Sequence, residues 1–225
     1  MYQKIIKELK KYAEADFANW LRPFLSIENN SKEVLLGVRT PTLRKLAKKY
    51  KDIDITILKQ LLESNIHDIR ALAVFIMLLK SKQEPFLICG LYLQNLDYIN
   101  NWDLIDYSAP HIVAPFVREE VLRELTNSDY LWANRVAMVS TIYYIKQNNY
   151  TLALEFAEKF ITHPHHLMHK ASGWMLREIG KKDEKILIEF LKKHAQKMPT
   201  IMRNYAMEKL EKNLKKEIVN SDAKI

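Results

Sequence analysis

A short motif that recurs down the chain constrains the fold more than any other feature. Four segments read DIRALAVFIM, ANRVAMVSTI, MHKASGWMLR and IMRNYAMEKL, each placing a basic residue ahead of small and apolar ones. The basic positions are Arg70, Arg135, Lys170 and Arg203, spaced 65, 35 and 33 residues apart. The last two spacings fall within the period of roughly 30 to 47 residues at which HEAT-like helix pairs repeat, and the first is close to two such units. A unit of this kind cannot bury its apolar face alone, so its neighbours must stack on it. Any amphipathic helix array gives loose self-similarity, but four aligned copies with a recurring cation favour true repeats.

The rest of the chain agrees. Only 4 Gly and 7 Pro in 225 residues leave too few turn-formers for an all-β fold. Within 66–80, the residues Ile69, Leu72, Ala73, Ile76 and Leu79 fall three and four apart, on one helix face. Similar periodicity runs through 131–146, 150–161, 165–179, 184–194 and 200–210. Asn127-Ser128-Asp129, Asn148-Asn149, Thr162-His163-Pro164 and Pro199-Thr200 punctuate it. The expectation is an all-α superhelical array of HEAT-like repeats, an α-solenoid of about six helix pairs. It would form a single domain over 1–216, with 217–225 a flexible tail. The single Cys89 allows no internal disulfide and fits a reducing compartment. The opening MYQKIIKELKKY lacks the apolar core of a signal peptide, and the longest apolar run, Ala71 to Leu79, is too short for a membrane span. A cytoplasmic monomer without a membrane partner is expected.

Charge is distributed unevenly. Residues 1–51 carry a net +7, residues 52–134 a net −6, residues 135–169 a net +1 and residues 170–225 a net +6. Lys-rich solvated surface gives such a pattern by chance. A curved array whose positive arms grip a polyanion gives it by design.

Halving the 65-residue gap puts a missing repeat near residue 102. The sequence there is Asn101-Trp102-Asp103-Leu104-Ile105-Asp106: the cation is gone and Trp-Asp-x-x-Asp stands in its place. Trp102 and Asp106 share a helix face at i, i+4. A second aromatic site is Trp174, with Lys170 one turn before it and Arg177 one turn after. Cations suit phosphates, and an indole face suits a flat or cationic base. Gly173 inside this helix costs about 1 kcal/mol relative to Ala, which close approach of a backbone or ligand would justify. Taken singly, each feature also fits a bland role: a core Trp, a capping Asp, a solvated Lys–Arg pair. The His163, His165, His166, His169 cluster holds an i, i+4 pair but no HExxH and no nearby Cys, so a polar helix start is the expected role and no metal is expected.

Four stretches carry a family resemblance. They are Leu36-Gly37-Val38-Arg39-Thr40-Pro41-xx-Arg44, Asn101-Trp102-Asp103-xx-Asp106, Leu131-Trp132-xx-Arg135 and His169-Lys170-Ala171-x-Gly173-Trp174-x-Leu176-Arg177-Glu178. In this order, over about 36–210, the chain resembles the DNA alkylation repair family typified by AlkD. The resemblance implies a superhelix of HEAT-like repeats that excises cationic alkylpurines from duplex DNA without metal or cofactor. It implies Asp106 as the catalytic carboxylate, Trp102 and Trp174 framing the lesion nucleotide, and Arg135 on the DNA backbone. Lys170 and Arg177 join the DNA contacts from face geometry. Arg39, Thr40 and Arg44 from the first stretch, and Arg203 from the last repeat, complete the set.

The segment before Leu36 matches the family poorly. Some relatives keep the fold, lack a short N-terminal lesion-contacting element and do not excise bases. Residues 16–27, with Trp20, would form such an element, or the loop Ser26 to Ser31 would displace it. Three functions therefore stay open: an alkylpurine DNA glycosylase of the nucleoid, a non-catalytic repeat protein binding damaged or branched DNA, and a protein-interaction scaffold.

Overall fold

The computed structural model describes residues 1–25 and 32–220. The loop Ser26 to Ser31 and residues 221–225 of the expected tail lie outside the described residues. The chain divides into two compact units, Met1–Phe116 and Val117–Ile225. Among the described residues every regular element is helical, and the β contact is an isolated bridge between Val34 and Ile66.

The first unit contains α1 (Tyr2–Lys10), α2 (Ala15–Leu21) continued by a 3-10 turn (Arg22–Phe24), α3 (Thr40–Lys49), α4 (Ile55–Leu62), α5 (His67–Lys80), α6 (Pro85–Gln94), a 3-10 turn (Leu96–Tyr98) and α7 (Trp102–Ile112). Prolines open α3 and α6, where the missing N–H costs nothing. Asp54 caps α4 by accepting from the Thr56 N–H at 2.7 Å. Helix α5 is the centre: it packs on α3, α4 and α7 and is buried from His67 to Val74. Truncating a core residue such as Leu72 would cost about 2–5 kcal/mol.

The second unit contains α8 (Glu119–Thr126), α9 (Leu131–Ser140), α10 (Ile142–Ile145), α11 (Thr151–Lys159), a 3-10 turn (Phe160–Thr162), α12 (His166–Gly180), α13 (Glu184–His194), α14 (Thr200–Ala206) and α15 (Lys212–Asn220). Its centre is α12, packed on α9, α11, α13 and α14. Gly173 lets two helices meet: a Cβ there would lie 2.4 Å from the Met202 carbonyl oxygen and 2.6 Å from Tyr205 Cβ. A neighbouring backbone, α14, thus accounts for the glycine. The periodic stretch 131–146 is interrupted at Thr141, whose hydroxyl donates to the Met138 carbonyl at 2.7 Å and competes with the helix ladder. Helix α15 carries regular structure through residues 217–220.

The recurring cations keep register. Arg70 is the fourth residue of α5, Arg135 the fifth of α9, Lys170 the fifth of α12 and Arg203 the fourth of α14. In α7 the fifth residue is Asp106, so the position reverses its charge there.

Candidate functional site

Asn101 starts α7 by accepting from the Trp102 N–H at 3.0 Å. The Trp102 indole Nε1–H donates to the Phe24 carbonyl at 2.8 Å, 78 residues away in sequence. Trp102, like Leu21, packs against the buried cluster of Ala18, Leu25 and Leu35. Trp102 is therefore half core and half surface. It also walls a cavity of ≈ 230 Å³ together with Phe17, Leu21, Leu25, Leu35 and Tyr107. The described walls of this cavity include Asp103 but not Asp106.

Asp106, one turn after Trp102, is half-buried. Burial pushes the Tyr92 phenol upward, and the negative field of Asp106 adds to that effect. Tyr92 Oη lies 2.8 Å from Ser108 Oγ, which sits 2.5 Å from the Leu104 carbonyl oxygen. Pro110 interrupts α7 four residues after Asp106. It has no N–H for the Asp106 carbonyl, so the helix loses a rung at the candidate carboxylate. Sequence reasoning passed over this proline, although a proline in a helical pattern is a legible signal.

Asp103 has a different occupation. Its Oδ2 lies 2.9 Å from His67 Nε2, while His67 Nδ1 lies 3.0 Å from Glu33 Oε1. Arg70 donates to the same Glu33, to Asn100 Oδ1 at 3.1 Å and to the Ser64 carbonyl at 2.8 Å. This network was also missed. The signal was three ionisable residues, His67, Asp68 and Arg70, opening an otherwise apolar helix, where burial demands partners.

The segment expected to supply an N-terminal element forms α2 and its 3-10 extension. Trp20 is 61% exposed and Phe24 57% exposed. Trp20 stacks on Phe17 at 5.6 Å and tilts against Phe24 at 5.0 Å. Arg39 lies 3.8 Å over the Phe17 ring and pairs with Glu14 at 2.9 Å. Thr40 opens α3 at the surface. Exposed Arg44 sits 5.3 Å from the Tyr107 ring centre and 5.5 Å from that of Phe75.

In the second unit the cations divide. Arg135, expected on the DNA backbone, is 4% exposed and donates to the Leu167 carbonyl at 2.8 Å. Arg203 is half-buried and donates to the Ala195 carbonyl at 3.1 Å. Both guanidiniums order backbone turns, a demand that the sequence pattern does not express. Arg177 pairs with Glu208 and lies 3.7 Å from Glu178. The half-buried Trp174 donates from Nε1 to Glu178 at 3.1 Å, within its own helix, and Lys170 precedes it by one turn.

The histidine cluster caps α12. His163 Nδ1 accepts from the His165 N–H at 3.0 Å, and His165 Nδ1 accepts from the Leu167 N–H at 3.1 Å. Burial holds His163, His165 and His169 below the ordinary imidazole range. Among the described residues no three His, Cys, Asp or Glu side chains converge on a metal position.

Fold and register define the class: an all-α protein of stacked helical repeats. The similarity to solved structures agrees. One is a predicted DNA alkylation repair enzyme from Enterococcus faecalis, 16% identical, with a TM-score of 0.64, covering 88% of this chain and 94% of that one. Another is AlkD2 from Streptococcus mutans, 18% identical, with a TM-score of 0.62, covering 94% of this chain and all (100%) of that one. No curated protein matches the sequence. The family model described as DNA alkylation repair enzyme matches residues 5–210, and the chain belongs to that family. Membership assigns it an enzymatic role in DNA alkylation repair, with DNA as partner.

Proposed function

We propose that this protein is a monofunctional DNA glycosylase. It hydrolyses the N-glycosidic bond of cationic alkylated purines, 3-methyladenine and 7-methylguanine, in duplex DNA, and so begins base excision repair in the cytoplasm. One observation carries the reading. In a DNA alkylation repair chain, the repeat helix that replaces its cation with a carboxylate, Asp106, presents Trp102 one turn away on the same face.

The chemistry needs little more. An N3- or N7-alkylpurine is a cation and departs as a neutral base. Positive charge then develops on the sugar, as in other glycoside hydrolyses. The Asp106 carboxylate stabilises that charge and orients the attacking water. Water, rather than an amine, is the nucleophile, so no Schiff base forms and the strand stays intact. Trp102, one turn from Asp106, holds the cationic deoxynucleotide through its ring face, and Trp174 in the second unit offers its own ring face to DNA. In the first unit Arg39 and Arg44 take phosphates, with Thr40 at the start of α3 between them in sequence; in the second unit Lys170 does so.

The presence of α2, tied to Trp102 through the Phe24 carbonyl, supports excision over binding alone. The described walls of the cavity beside Trp102 omit Asp106, so this reading puts the reaction at the surface of α7 and not in that cavity. The test is single-turnover release of 3-methyladenine or 7-methylguanine from methylated duplex. Release above the spontaneous rate is expected. Its absence, with damaged DNA still bound, replaces this reading with the non-excising one.

A further inference from the structure

The first turn of α5 buries three ionisable side chains. His67, Asp68 and Arg70 are each 3% exposed. Asp68 fixes the chain around Gly37, accepting from the Leu36 and Val38 N–H groups at 2.7 Å each. His67 faces a carboxylate on each ring nitrogen, Glu33 at 3.0 Å and Asp103 at 2.9 Å. An ionised carboxylate only accepts hydrogen bonds, so both contacts are satisfied together only when both ring nitrogens carry protons. Asp103 Oδ1 is buried with no hydrogen-bond partner among the described residues, and His67 anchors the carboxylate through Oδ2. Arg70 ties Glu33 to Asn100, immediately before the Asn101 cap of α7.

Asp103 is the second residue of α7, between Trp102 and Asp106. Whatever holds its carboxylate sets the rotation of the helix's first turn. We infer that His67 is a positioning residue: its imidazolium clamps Asp103 and so presents Trp102 and Asp106 to the damaged nucleotide. The inference rests on the glycosylase reading for its catalytic consequence. It also gives Asp103 a task other than chemistry.

The titration of His67 supports the geometry. Burial opposes its charge, but the field and hydrogen bonds of Asp103 and Glu33 outweigh burial and the repulsion of Arg70, raising the imidazole to about 9. The charged groups around it are Glu33 from the preceding loop, Asp68 and Arg70 on α5, and Asp103 on α7. A raised imidazole stabilises the fold fully below its ordinary 6.5, and that contribution is lost as pH climbs to about 9. The folded imidazolium keeps its proton through that window and gives it up around pH 9, where the clamp opens.

His67→Gln keeps a hydrogen-bonding side chain and removes the charge. In single-turnover assays with saturating enzyme it should slow base release by about 10- to 100-fold, the scale of a misplaced reactive group. Affinity for undamaged duplex should stay within about twofold. Asp103→Asn should slow release similarly, and the double variant should be no slower than either alone. Wild-type activity should fall above pH 9 on a limb that His67→Gln lacks.

Two NMR readouts on the free protein do not depend on activity. The His67 ring should titrate near 9, and near or below its ordinary value in Asp103→Asn. The Trp102 indole N–H, held on the Phe24 carbonyl, should shift with the same midpoint. A His67 that titrates near 6.5, a Trp102 signal indifferent to His67, or a folded His67→Gln enzyme of unchanged rate each overturns the clamp. If wild type releases no base, the glycosylase reading fails. The two NMR titrations then still decide whether His67 sets the start of α7.

Discussion

Helices α7 and α9 carry opposite charges at the same register position, and their side chains lead opposite lives. Arg135 in α9 is buried and spends its guanidinium on the Leu167 carbonyl. Asp106 in α7 is half-buried, one turn from an indole that is itself part surface. In three of its four copies the recurring cation is thus architecture: Arg70, Arg135 and Arg203 each donate to a backbone carbonyl. Where the repeat abandons that cation, its helix also takes an internal proline and a second carboxylate paired with His67. Departure from the repeat, rather than the repeat itself, marks the residues with chemistry to do.

The strongest way to break this contrast is Asp106→Asn, which keeps shape and removes charge. Single-turnover base release should fall about 10- to 1,000-fold, the order for one preorganised electrostatic group, while binding and melting temperature change little. An equally active Asn variant would remove Asp106 from the mechanism.

The second test asks which cations meet DNA. If about four phosphates are neutralised by groups such as Lys170, Arg39 and Arg44, affinity should drop roughly 100-fold between 50 and 200 mM salt. Fluorescence anisotropy across that range measures the slope, and a flat line would favour a protein partner.

The third sharpens the architectural side. Arg135→Met keeps the apolar stem but removes the buried guanidinium's hydrogen bond to the first turn of α12, so chemical denaturation should show a loss of about 1–3 kcal/mol. The folded fraction should retain its rate. Lost DNA affinity at unchanged stability would instead support the phosphate role implied by the family resemblance.

The smallest effect expected is acid sensitivity at the start of α12. His163 and His165 accept backbone N–H groups and are held below 6.5 by burial. A depressed imidazole stays neutral in the fold while the unfolded chain takes up protons. Its contribution is therefore present above pH 6.5 and shrinks as pH falls through that value. Melting temperatures at pH 7 and 5.5 should fall less in His163→Asn and His165→Asn, which cap without titrating.

Local pattern was enough to determine that this chain is helical, that it repeats and where the repeat breaks. Periodicity, scarce glycine and a recurring cation are properties of neighbours within a few turns, and α5, α12 and α13 begin and end within a residue of where the pattern put them. The pairing of Trp102 with Asp106 on one face was legible for the same reason. The fate of each charge was not. Whether an arginine reaches solvent or a carbonyl 32 residues away depends on how helices stack, and Arg135 and Lys170 look alike in sequence while differing in burial. Gly173 announced a close approach but not by what; the backbone of α14 supplied the answer. His67 shows the limit most plainly. Its partners, Glu33 and Asp103, stand 34 residues before it and 36 after it. Only folding brings two carboxylates to one buried ring, and that geometry, rather than residue type, makes it a cation.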